Sequence, residues 1–257
     1  MLLIKKRGQL TISVIIAIVL IAGVILLFFF RSRLTGIFGG EFSPQGYLAQ
    51  CISPEIKHGV QVLAAQGSYQ NPEGFILYQG NKIQYLCYTN DYYKTCVVQQ
   101  PMIKQNFERE LNSLVKNKAD QCARDLISEY EKRGYTVSSG EIKPEVSIIP
   151  NKIFVRFNVP LTVTRETTQQ FQGFDVELDS EIYDLLFIAS SIIDYEAKLG
   201  DSATELYLQY YPNLKIEKVK LSEGTKIYKL TDVVSGEEFS FASRSLAWPA
   251  GYGLEGV

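Results

Sequence analysis

Gln9-Leu10-Thr11-Ile12-Ser13-Val14-Ile15-Ile16-Ala17-Ile18-Val19-Leu20-Ile21-Ala22-Gly23-Val24-Ile25-Leu26-Leu27-Phe28-Phe29-Phe30 is a run of 22 residues without a charge. Its reading decides how the rest of the chain is organised. As a helix rising about 1.5 Å per residue, it spans about 30 Å, the hydrocarbon thickness of a bilayer. A cleavable secretory signal has an apolar core of only about 7–15 residues followed by small residues. This run is longer and ends in Phe28-Phe29-Phe30-Arg31. The sequence therefore predicts a retained transmembrane helix over 9–30, a basic cytoplasmic leader over 1–8 and a folded domain beyond.

The charges support that division. Residues 1–40 hold five of the 26 Lys and Arg (Lys5, Lys6, Arg7, Arg31, Arg33) and none of the 28 Asp and Glu. That leaves 21 basic against 28 acidic residues in the remainder, net −7. A net-acidic domain is repelled by phosphate, which argues against a nucleic-acid partner. The basic residues flanking the apolar run can instead meet lipid headgroups. Three basic residues before it against two after it favour the N-terminus inside. Residues 31–46, with Gly36, Gly39, Gly40, Pro44 and Gly46, read as a linker.

The start Lys5-Lys6-Arg7-Gly8-Gln9-Leu10-Thr11 resembles the archaeal class III signal peptide of type IV pilin-like proteins. The resemblance covers only about residues 5–30. It implies cleavage by a prepilin peptidase between Gly8 and Gln9, with the apolar helix kept on the mature chain. Thr11 stands at the family's Ser position, and Ser13 stands where the family has Glu. The same start is similar to that of archaeal membrane-anchored proteins of unassigned function. The departure at Ser13 and the glycine-rich linker favour a retained anchor over a filament subunit.

Residues 47–257 read as one α+β domain outside the membrane, with a further boundary near 134–145. Ser53-Pro54-Glu55 is a helix start, with Ile56, Val60, Leu63 and Ala64 at helical spacing and Gly67 ending it; Tyr47, Leu48 and Cys51 offer an earlier turn of the same element, kinked at Pro54. Phe75–Tyr78 and Lys82–Tyr88 form a hairpin about Gln79-Gly80-Asn81. Pro101 to Arg133 is the longest helix, its apolar face marked by Phe107, Leu111, Leu114, Val115, Ala119, Cys122, Leu126 and Tyr130. Strands follow over Glu145–Ile149, Lys152–Thr164 and Phe171–Leu178. Ser180 caps a helix from Glu181 to Leu199. Strands Lys215–Leu221, Thr225–Val233 and Glu238–Ser243 close the domain as an antiparallel meander, and the tail from Trp248 to Gly253 reads as a loop.

All four cysteines, Cys51, Cys87, Cys96 and Cys122, follow the membrane segment. An even number in an external domain points to two disulfides. Cys87 and Cys96 suit a local bridge, and Cys51 and Cys122 suit a staple between helices. Four cysteines permit three pairings, and Cys51 with Cys87 or Cys96 is open on sequence alone. Gaps of 36, 9 and 26 residues do not fit a zinc site.

Catalytic signatures are missing. His58 is the only histidine and reads as a helix-surface residue. Nucleophile-elbow, H-E-x-x-H and phosphate-loop patterns do not occur, nor does an N-glycan acceptor. Asp175, Glu177, Asp179 and Glu181 alternate, offering either a calcium face or, more simply, the solvated face of a strand. Glu237-Glu238 read as a wet turn. Tyr78, Tyr85, Tyr88, Tyr92 and Tyr93 offer either a recognition surface or cross-strand packing. The expectation is a single-pass cell-envelope protein, not an enzyme and without cofactor, in a structural or interaction role. Its partners are then the bilayer and envelope proteins or copies of itself. The alternative is a ligand-binding or sensory ectodomain acting through a partner.

Overall fold

A computed structural model describes residues 42–247. The leader, the apolar run 9–30, the Gly8–Gln9 junction, most of the linker and the tail from Trp248 lie outside the described residues. Among the described residues, no helix is long and apolar enough to cross a membrane. From Pro44 the chain forms one compact unit, a mixed α+β domain of helices and largely antiparallel sheet.

Helix α1 (Pro44–Ala65) takes in the earlier turn at Tyr47, Leu48 and Cys51 and starts at Pro44, inside the expected linker. Proline is well suited to the first helical position, where its missing N–H costs nothing, and Pro44 takes that place. Pro54 therefore lies inside the helix. Ser53 does not cap; its hydroxyl donates to Ala49 O at 2.5 Å one turn back. The helix stops at Gly67 and Ser68, both at positive φ (68° and 75°), and Ser68 N donates to Leu63 O. Helix α2 (Ile103–Lys132) buries a stripe from Ile103 through Phe107, Leu111, Val115, Ala119 and Leu126 to Tyr130. The two helices run antiparallel. A Cβ on Gly59 would lie 2.7 Å from Leu111 Cδ1, so glycine permits their close approach.

Strands β1 (Phe75–Tyr78) and β2 (Asn81–Tyr88) form the expected hairpin, with Gln79 and Gly80 both at positive φ. Two-residue turns with that geometry match the twist of the strands they join. The short β3 (Val97–Val98) returns beside β2.

The middle of the chain departs from the sequence reading in one respect. Lys152–Thr164 is divided into β6 (Lys152–Asn158) and β7 (Leu161–Thr164), and the stretch around Phe171–Leu178 into β8 (Thr168–Phe171) and β9 (Phe174–Asp179). With β4 (Thr136–Ser139) and β5 (Lys143–Ile149) these form two three-stranded sheets, β4-β7-β8 and β5-β6-β9. The two are one antiparallel meander bent across its middle. The register slips by one residue at Gly140 opposite Pro160, and again at Gly173. Pro160 has no ladder donor. A Cβ on Gly173 would sit 2.5 Å from Phe157 O, so only glycine allows the crossing there.

Helix α3 (Ile182–Leu199) ends at Gly200 with φ 82°. The six-residue α4 (Glu205–Tyr210) leads into β10 (Leu214–Lys220), β11 (Thr225–Asp232) and β12 (Glu238–Arg244). The meander does not stand alone. Its last strand pairs in parallel with β2, giving a six-stranded sheet ordered β1-β2-β12-β11-β10, with β3 also on β2. Phe239 and Phe241 lie on one face of this sheet. Phe241 stacks on Tyr228 (5.0 Å), and Phe239 approaches Phe107 of α2 (6.5 Å). Ile83, Ile227 and Ala242 form a second, smaller cluster.

Candidate functional site

Two disulfides frame the domain. Cys51 of α1 is bonded to Cys122 of α2, and Cys87 to Cys96, leaving no free thiol. The second closes the loop bearing Tyr92 and Tyr93. These rings are 76% and 82% exposed, whereas Tyr85 packs edge-on against Tyr88 and shares a hydrogen bond with Thr225 Oγ1 (2.9 Å). The tyrosines thus divide between cross-strand packing and open surface. His58 is exposed on α1.

The alternating acids of β9 face cross-strand cations. Arg156 donates to both carboxylate oxygens of Asp175 (2.9 and 3.2 Å), and Lys152 pairs with Glu177. Among the described residues, no group of three or more His, Cys, Asp or Glu is placed to hold a metal ion. Glu237 is not a solvent-facing turn residue. Its Oε2 accepts from Glu181 N (2.6 Å) and Ser180 Oγ (3.0 Å), so a carboxylate from the β11–β12 turn sits at the N-terminus of α3. The dipole of that helix end favours negative charge. Burial first, then the fields of Asp232, Asp184, Glu237 and Asp179, raise the Glu181 carboxyl above its ordinary value.

The main feature the sequence reading did not single out is a buried cluster of charges where α3 meets the large sheet. Glu196 is fully buried; Lys226 Nζ lies 2.6 Å from its Oε2. Ser243 donates to the same oxygen (2.9 Å), and Tyr228 donates to Oε1. Asp201, in the loop after α3, meets Lys218 at 2.6 Å, Lys220 at 3.3 Å and Lys226 at 3.3 Å. Burial alone would raise the Asp201 carboxyl. The hydrogen bond from Lys218 and the charges of Lys226, Lys218 and Lys220 outweigh it and hold the carboxyl well below the usual range. One signal was available: Glu196 follows Ile192 by four and Ile193 by three, which puts an acid on the apolar face of α3. The lysines gave none, because alternating Lys on a strand reads as a solvated face. The cluster is internally satisfied and offers no substrate site.

Among the described residues, concave surfaces adjoin both α1 and α3. A groove of about 670 Å³ lies among Ile56 and Val60 of α1, Tyr78 of the hairpin, Leu178 and Glu237. A more apolar one of about 470 Å³ lies between α3 and α4, floored by Ala203 and Ser202 and walled by Tyr195, Leu199, Leu206 and Tyr207. Ser191 and Tyr207 share a hydrogen bond of 2.9 Å that ties α4 to α3. In the first groove the Ser180 hydroxyl meets the Glu237 carboxylate, a pair engaged at the N-terminus of α3.

The chain matches no protein-family model, no curated protein and no solved structure.

Proposed function

We propose that this chain is a single-pass, membrane-anchored cell-envelope protein whose disulfide-stapled domain works outside the membrane in a structural or interaction role. The observation that carries this reading is the complete pairing of the four cysteines. Structural disulfides persist in oxidising compartments and are rare where thiols are kept reduced. The uncharged run 9–30 supplies the anchor, and the resemblance at Gly8–Gln9 supplies a route for processing on the cytoplasmic side. A pilin-like subunit is one form of this role.

N-terminal sequencing of the mature protein, together with its membrane partitioning, tests the reading. A Gln9 start supports prepilin-type processing, and an intact Met1 removes that part. Recovery of full-length protein from detergent-free lysate with four reduced thiols would overturn the whole. The groove beside α1 favours a second reading, a ligand-binding ectodomain that signals through a partner. A small molecule retained through purification would support it.

A further inference from the structure

Among the described residues, six of the fifteen exposed large hydrophobic side chains fall between Phe187 and Tyr210. Phe187, Tyr195 and Leu199 follow one side of α3 at eight- and four-residue spacing, which aligns them along the helix. Leu206 and Tyr210, 53% and 80% exposed, face out from α4. Between them lies the groove of about 470 Å³. The hydrogen bond joining Ser191 and Tyr207 fixes its walls, so the groove is preformed. Folding gains nothing from leaving this much apolar surface in water, and such patches mark interaction sites.

The rim is acidic. Asp194 precedes Tyr195, and its charge reaches the Tyr207 hydroxyl. Glu205 precedes Leu206, and Asp184 lies in the adjoining hollow beside Tyr210. Among the described residues, none of these three carboxylates forms an ion pair. Some surface acids elsewhere are paired, as in Asp175–Arg156, Glu177–Lys152 and Glu238–Lys229, while others such as Glu131 and Glu166 stand alone like these three. Lys198 is the one basic residue of α3. An anionic lipid surface would meet repulsion here. A second copy docked two-fold would set the same acids against each other. A partner with an apolar stripe flanked by basic residues meets neither obstacle.

We propose that the α3–α4 groove is the docking site for a cationic amphipathic segment of a partner polypeptide. Its apolar side chains enter between Tyr195 and Leu206, and its Lys or Arg residues meet Asp194, Glu205 and Asp184. This rests on reading the domain as an interaction module and gives that module a partner chemistry.

The test uses full-length protein in phosphatidylcholine nanodiscs and a fluorescent Leu/Lys model helix of about 14 residues, four turns long. A Leu/Glu peptide of the same pattern and empty discs serve as references. Fluorescence anisotropy should show saturable binding above that of empty discs, with the Leu/Glu peptide inert. Leu206→Ser with Tyr210→Ala should weaken binding about tenfold, as for central apolar contacts. Asp194→Lys with Glu205→Lys, and salt raised to about 0.5 M, should each weaken it several-fold. Tyr92→Ala with Tyr93→Ala, which do not line the groove, should leave it unchanged. All substituted residues are exposed or half-exposed, and circular dichroism checks their folding. Equal binding of the Leu/Glu peptide, insensitivity to the groove variants, or no binding beyond empty discs overturns the proposal. So does self-association abolished by Leu206→Ser, which gives the groove to a second copy. Protein that stays out of the discs refutes the anchor instead; the same titration on the soluble protein then judges the groove separately.

Discussion

Asp201 and Glu196 set the chemistry of the interior through three lysines. Removing ions from water costs several kcal/mol each, and the pairings must offset it. Here they do so by saturation: Lys226 reaches Glu196, Asp201 and the carbonyl of Gly200, while Tyr228 and Ser243 supply neutral donors to Glu196. Deleting one partner leaves the others buried and unbalanced. Asp201→Asn should therefore cost about 3 kcal/mol in urea unfolding, with little change in the denaturant slope. The pH dependence has a definite sign. The folded-state carboxyl of Asp201 lies below its unfolded value, so its stabilisation is complete above about pH 5, about a unit over the ordinary carboxyl value. It is lost as pH falls further, because the unfolded chain takes up a proton that the folded chain refuses. The stability difference between the parent and Asp201→Asn should shrink between about pH 5 and pH 2.5. A constant difference over that range would show that the carboxylate is not held by its lysines.

At the scale of elements, α1 contains an avoidable cost. Proline inside a helix removes the bond to the carbonyl four residues back and crowds it, a penalty of about 3 kcal/mol. Pro54 is exposed inside the helix. Pro54→Ala should raise stability by about 1–2 kcal/mol, the helix gain less the entropy returned to the unfolded chain. A lower thermal midpoint would mean that the bend at Pro54 is needed to dock α1 on its neighbours. Gly173→Ala should act oppositely, costing at least about 1 kcal/mol, because its Cβ would press on Phe157 O. These two positions show what local sequence conveys. The 3.6-residue periodicity of α2 and α3, and the hairpin at Gln79-Gly80, were legible because each is decided within a few residues. The first turns of α1 were legible at Tyr47, Leu48 and Cys51 as an extension past Pro54, whereas Ser-Pro-Glu, a strong cap signal, caps nothing because the helix already runs from Pro44. The bent meander was read as longer strands because Pro160 and Gly173 act through the partner strand, which sequence spacing does not display.

For the whole molecule, what escaped the sequence is what depends on remote pairing. The parallel union of β2 with β12 brings together residues about 150 positions apart, and neither strand's pattern names its neighbour. The charge cluster joins α3 to β10, β11 and β12 in the same way. The α3–α4 groove was hidden because its aromatic residues resemble core positions until α4 is seen to leave them uncovered. The cysteines are the exception, since their number and spacing limited the pairings before any fold was known. Their bonds also carry the test of where the domain resides. In the chain-entropy account, a bridge over 71 residues stabilises more than one over 9, about 4 against about 3 kcal/mol. Cys51→Ala with Cys122→Ala should therefore lower stability more than Cys87→Ala with Cys96→Ala, and reductant should add little further loss to a variant lacking both. If the domain lies outside the membrane, a membrane-impermeant maleimide applied to intact cells should leave it unlabelled at first and label all four cysteines after mild denaturation with an impermeant reductant. Cysteines that stay unlabelled in that second step, yet react once the cells are lysed, would place the domain inside and remove the oxidising environment on which its stapled architecture depends.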